Sequence, residues 1–112
     1  MDIFKSNKFT IFDGAMGTMM QNAGILKAGA LPETLNITAP EEIIKIHSAY
    51  AAVGCEVAST NTFGANAYKL KGCGYSVAEI IHAAVSNAKK SGCKYTALEI
   101  GPIGQLLSLI HI

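Results

Sequence analysis

The sequence predicts an α/β fold built on parallel strands, and three observations lead there. Short β-branched or aromatic runs alternate with amphipathic helical stretches, each run stops at a turn containing glycine, and two of the helical stretches open with a capping-box pattern. Alternation of this kind implies right-handed crossovers, so every strand points the same way and all the C-terminal ends lie on one face.

Lys8 to Phe12 reads as the first strand, ended by the Asp13-Gly14 turn. Ala15 to Asn22 suits a helix, with Met16, Met19 and Met20 at helical spacing as packing residues and Gly24 placed as its C-terminal cap. Gly24 to Asn36 reads as a connection without regular structure, because Gly29 and Pro32 interrupt it. Thr38-Ala39-Pro40-Glu41 has the capping-box spacing and starts a helix, with Pro40 in its first turn. Ile43, Ile46, His47, Tyr50 and Val53 recur on one face as far as Gly54, which makes His47 a core-facing residue.

Cys55 to Ser59 is the second strand, broken by Thr60-Asn61-Thr62-Phe63-Gly64. Ser76 and Glu79 form a second capping box, opening a helix whose Ile80, Ala84 and Ala88 share a face. Lys89 and Lys90 suit the negative end of its dipole, before Gly92. Lys94 to Ile100 is the third strand, ended by Gly101-Pro102. Three loops, Asp13 to Thr18, Thr60 to Asn66 and Gly101 to Gly104, therefore meet where α/β folds hold their ligands.

Composition narrows the function classes. Half of the 112 residues are hydrophobic and 15% are charged, as in a single folded domain. A formal net charge of +1 without a run of Lys or Arg excludes nucleic acid as the expected partner. No secretory signal is legible in Met1 to Thr10, and the apolar end is far shorter than the roughly 20 residues of a membrane span, so a cytoplasmic protein is expected. Cys55, Cys73 and Cys93 contain no C-x-x-C pair and read as reduced, buried thiols. Cys55 and Cys93 open their strands, on the side away from the ligand.

Four blocks, Phe12-Asp13-Gly14-Ala15-Met16-Gly17-Thr18, Glu33-Thr34-Leu35-Asn36, Thr60-Asn61-Thr62-Phe63-Gly64-Ala65-Asn66 and Ile100-Gly101-Pro102, resemble in order and spacing the homocysteine S-methyltransferase family, which includes the homocysteine-binding module of cobalamin-dependent methionine synthases. The resemblance spans Phe12 to Leu107. It implies the N-terminal portion, about three strands, of a TIM-type (β/α)₈ barrel that typically needs about 250 residues. It also implies methyl transfer to the thiolate of homocysteine, held on Zn²⁺ by three cysteines from later strands. A free thiol titrates near ~8.5, and coordination to zinc yields the nucleophilic thiolate at neutral pH. The resemblance leaves a methylcorrinoid, a methylated pterin, a sulfonium or a betaine as donor; the wording of the Asp13 and Thr60 blocks tilts this toward methylcobalamin or methylfolate, with a corrinoid- or folate-binding domain or protein as partner.

Position by position, the resemblance makes Asp13 the carboxylate that holds the substrate ammonium. Gly14 and Ala15 become backbone donors to its carboxylate, and Thr60, Thr62 and Phe63 the second wall, with Phe63 on the aliphatic part. Asn36, Asn61 and Asn66 would tie loop backbone together. From spacing alone, Asp13 serves equally well as a cap for the following helix, Thr60 to Asn66 as an ordinary loop, and Gly101-Pro102 as backbone punctuation.

Two departures bear on activity. Ser59 stands where the family usually has an acidic residue, and Ser108 to Ile112 resembles nothing in it. The expectation is a truncated N-terminal part of one barrel domain over residues 1–112, with 108–112 as a non-family tail, marginal alone and inactive for want of the zinc ligands. The alternatives are a non-catalytic fragment that binds an amino acid or docks on a partner, and a nucleotide-binding α/β domain, for which both G-x-G-x-x-G and the P-loop pattern are missing.

Overall fold

The computed structural model describes residues 9–103. The end of the third loop at Gly104 and the 108–112 tail therefore lie outside the described residues. Helices α1 (Gly17–Asn22), α2 (Leu35–Thr38), α3 (Pro40–Ala52) and α4 (Val77–Lys89) accompany strands β1 (Val57–Ser59) and β2 (Tyr95–Ala97), and a 3₁₀ turn covers Pro32–Thr34.

β1 and β2 are parallel, with Val57 opposite Tyr95 and Ser59 opposite Ala97. Phe12 forms a parallel bridge to Val57 on the other flank of β1, so the spatial order is the Phe12 segment, β1, β2. The expected direction and order of the strands hold, and their length does not. Among the described residues the first strand is a single bridge at Phe12, its partner turning away at Gly54, whose φ of +106° suits glycine; Lys8, its expected start, lies outside them. Beyond Ala97 the Thr60 and Thr62 side chains, rather than a neighbouring strand, engage the backbone of Glu99.

The expected first helix begins two residues late, at Gly17, and ends where Gly24 takes φ +74° and donates to the Gln21 carbonyl. Met20 and Ile43 are fully buried, with Met16 and Met19 packed against them, in the packing role expected of these methionines. The connection expected to lack structure instead carries the 3₁₀ turn and α2. That changes how α3 starts. Thr38 is the last residue of α2, and its hydroxyl donates to the Thr34 carbonyl at 3.3 Å, so no capping box forms with Glu41. Pro40 does take the first helical position of α3. Val53, expected on the buried face, is 81% exposed, because the helix has already closed at Ala52.

The second capping box forms as expected, with Ser76 Oγ accepting from the Glu79 amide and Glu79 Oε2 accepting from the Ser76 amide, both at 3.1 Å. Ile80, Ala84 and Ala88 are buried, and α4 packs on α2, α3 and both strands. Ile11, Phe12, Leu98 and Ile100 flank the short sheet and remain exposed, as an incomplete barrel requires. No described helix is long and apolar enough to cross a membrane.

Candidate functional site

The C-terminal ends of the strands carry an open cleft of about 360 Å³, lined by Ala15 to Thr18, Pro32, Glu33, Asn61, Phe63 and Glu99. Two of the expected loops and the end of the third strand therefore converge, joined by the connection before α2. Phe63 is half exposed at the rim and also lines a smaller apolar cavity of about 140 Å³ with Leu98, Ile100 and Ile103.

Asp13 lies beneath the cleft. Its side chain is 2% exposed, and both carboxylate oxygens stand 3.1 Å from the Ser59 amide, which donates to them. α1 has no side-chain cap, which removes the reading of Asp13 as a helix cap. Gly14 and Ala15 are held from below by Tyr50, whose hydroxyl donates to the Ala15 carbonyl at 2.7 Å. A Cβ on Gly14 would sit 3.2 Å from that hydroxyl, so the absent side chain is what lets Tyr50 approach the turn. With its carbonyl engaged in this way, Ala15 stays outside α1.

One turn before Tyr50 on α3, His47 is fully buried with Nδ1 3.7 Å from Asp13 Oδ2, too long for a hydrogen bond, and neither ring nitrogen has a partner among the described residues. Burial lowers its pKa and outweighs the opposing attraction of Asp13, so the ring is neutral at pH 7. Sequence reasoning placed His47 in the core correctly and missed its neighbour. Both follow from helical spacing, which aims residues 47 and 50 at the same turn.

Thr60 and Thr62 are buried and act through hydroxyls that meet at 2.7 Å. Thr60 Oγ1 accepts from the Glu99 amide at 3.1 Å, and Thr62 Oγ1 donates to the Glu99 carbonyl at 2.6 Å. They stitch the loop to the end of the third strand and support the wall on which Phe63 stands. The asparagines behave as expected: Asn36 Nδ2 donates to the carbonyls of Glu33 and Asn61, Asn61 Nδ2 donates to that of Pro32, and Asn66 Oδ1 accepts from the Lys69 amide. Gly101 is more than punctuation, since a Cβ there would run into the Phe63 carbonyl and ring.

Two cleft residues escaped the sequence reading. Glu33 stood in a quoted block without a role, and Glu99, at the end of a strand on the ligand face, fitted a rule that could have found it. Partial burial, with Asp13 and Glu33 nearby, raises the Glu99 carboxyl above its usual range.

The three thiols lie elsewhere. Cys55 Sγ is 3.6 Å from the Phe12 carbonyl and Cys93 Sγ 3.5 Å from the Cys55 carbonyl, both at the N-terminal ends of their strands, while Cys73 bonds with Tyr75. All three are free and partly exposed, which corrects the expectation of buried thiols; Cys55 and Cys93 precede strands of only three residues, and Cys73 lies in the turn before α4. Among the described residues no group of three His, Cys, Asp or Glu side chains is placed to hold a metal ion. The donor set therefore does not fit zinc.

Comparison with known proteins gives a consistent result. The family described as homocysteine S-methyltransferase matches residues 10–111. The methionine synthase of Mycobacterium leprae is 35% identical over 66 residues, 54% of this chain and 6% of that protein. The oxidized form of the Escherichia coli homocysteine methyltransferase MmuM superposes with a TM-score of 0.79 at 23% identity, covering 91% of this chain and 40% of that one. Its metallated form gives a TM-score of 0.75 at 21% identity over the same shares. The chain thus spans less than half of the length of each, and the structural likeness makes its fold part of a (β/α)₈ barrel.

Proposed function

The chain belongs to the homocysteine S-methyltransferase family, and we propose that its strand-end cleft receives the amino-acid end of homocysteine while the thiol is left without a partner. The cleft itself carries this reading: a concave site at the C-terminal ends of parallel strands, built from the loops that hold the family blocks. Asp13, beneath its floor, supplies the carboxylate for the substrate ammonium. The amides of Gly14 and Ala15, in a turn fixed by Tyr50, donate to the substrate carboxylate. Phe63 covers the methylenes, and Thr60 and Thr62 hold that wall in place.

In the family zinc would supply the thiolate at neutral pH. The described residues offer no donor set for it, so no methyl-transfer step is assigned to them. The proposed role is substrate binding within part of one domain over residues 1–112, in the cytoplasm, where free thiols stay reduced. Likeness to a methionine synthase supports methylcobalamin or methylfolate, carried by a corrinoid- or folate-binding partner, as the donor side of the reaction.

Incubating the purified chain with homocysteine, zinc and a methyl donor tests the catalytic half: no methionine is expected, and its formation would contradict the reading. The binding half is tested by amide NMR. Homocysteine should shift the resonances of Gly14 and Ala15, and unchanged resonances would overturn the assignment.

A further inference from the structure

Two of the three thiols are set opposite one another, away from the cleft. Gly54-Cys55-Glu56-Val57 and Gly92-Cys93-Lys94-Tyr95 are two copies of one local pattern. In each, a glycine in the left-handed region closes the turn that follows a helix, at φ +106° for Gly54 and +91° for Gly92, and the cysteine after it leads into a strand. The copies are also in register. Val57 stands opposite Tyr95 on the parallel pair β1 and β2, so two residues earlier on both strands Cys55 stands opposite Cys93.

Hydrogen bonds hold that register at the cysteines themselves. The Tyr95 amide donates to the Glu56 carbonyl at 2.9 Å, and the Cys93 thiol donates to the Cys55 carbonyl at 3.5 Å. Side chains alternate along a strand, so the two cysteines leave the same face of the pair. Opposite Cα atoms on parallel strands lie about 4.8 Å apart, inside the roughly 4.4–6.8 Å that a disulfide spans. The Cys55 thiol leans the other way, onto the Phe12 carbonyl at 3.6 Å, a weak contact that rotation about its Cα–Cβ bond gives up to reach Cys93. Desolvation, then the charges of Asp13 and Cys93, raise the Cys55 thiol above its ordinary value, so the two sulfurs are within electrostatic reach. Cys73 lies beyond the C-terminal end of β1, in the turn before α4, with its sulfur bonded to the Tyr75 backbone.

We propose that Cys55 and Cys93 are a dithiol oxidation site, closing a reversible disulfide that clasps the starts of β1 and β2. One thiolate of the pair attacks a sulfur of a low-molecular-weight disulfide such as oxidised glutathione and expels a glutathione thiolate. The other attacks the protein-bound sulfur of the mixed disulfide, forms the Cys55–Cys93 bond and expels the second glutathione. Two protein thiols are oxidised, one glutathione disulfide is reduced to two glutathiones, and the two thiol protons pass to them. The bridged residues are 38 positions apart in sequence, so the bond encloses the Thr60 to Asn66 loop and α4 and constrains the unfolded chain. In a reducing compartment the pair rests as thiols, and the bond marks oxidising conditions.

The experiment treats the folded 112-residue chain with oxidised glutathione, alkylates the remaining thiols in denaturant and reads intact mass and peptide map. Alkylation should fall from three thiols to one, at Cys73, with a linked Cys55–Cys93 peptide, and dithiothreitol should restore all three. The thermal midpoint should rise by roughly 5 °C or more on oxidation and return on reduction. Cys73→Ser should keep the link, and Cys55→Ser or Cys93→Ser should abolish it. Three alkylated thiols after oxidation, stable glutathione adducts in place of the link, a bond between two chains or a link through Cys73 would each overturn the proposal, as would a link that leaves the midpoint unmoved. These readings on the unsubstituted chain decide the matter even where a variant fails to fold.

Discussion

At the C-terminal ends of the strands, Asp13, Asn36, Thr60 and Thr62 direct side-chain hydrogen bonds onto the backbone of segments remote in sequence. At the N-terminal ends, segments equally remote in sequence are joined by Cys55 and Cys93 only through weak thiol contacts of 3.6 and 3.5 Å to the carbonyls of Phe12 and Cys55. One ladder runs between the two ends, so the difference lies in side chains alone. Side-chain hydrogen bonds thus secure the loops around the cleft more than the starts of the strands.

Unequal responses to substitution test that contrast. The largest loss should follow Asn36→Leu, which strands the buried carbonyls of Glu33 and Asn61 and should lower unfolding free energy by about 3 kcal/mol in urea titrations. Thr60→Val keeps the shape but removes the acceptor of the Glu99 amide and the partner of Thr62, for about 1–3 kcal/mol by the same assay. At the other end, Cys55→Ser should stay within about 0.5 kcal/mol. A Cys55 loss as large as that of Asn36 would remove the contrast.

His47 adds a pH signature to the cleft end. Its folded pKa lies below the unfolded value of about 6.5. The unfolded chain therefore binds the extra proton first, and the stability contributed by a neutral His47 is complete above about 6.5 and declines as pH falls below it. Thermal melts between pH 7.5 and 5.5 should show that decline in the native chain and a shallower one in His47→Gln. Parallel slopes would assign the acid response to other groups.

The two capping patterns show how far the sequence is legible. Ser76 is itself extended, with ψ at 161°, and its box with Glu79 forms; Thr38 and Glu41 have the same spacing, but Thr38 already closes α2. Ser76→Ala should cost about 1 kcal/mol and Thr38→Ala less than about 0.5 in thermal unfolding. Local pattern located the strands, α4 and the converging loops, because those follow from periodicity and turn chemistry. It could not locate the cleft role of Glu33 or the Asp13–His47 contact, because both depend on where α2 and α3 sit against the sheet. Asp13 itself was found through the family blocks, and its burial beneath Ser59 is a tertiary fact no motif carries.

Calorimetric titration of the chain with homocysteine, with and without zinc, decides whether the cleft takes the amino-acid end of this ligand independently of a metal, as proposed. Saturable binding to one site per chain, unchanged by zinc, is expected. Binding that appears only when zinc is added would contradict it.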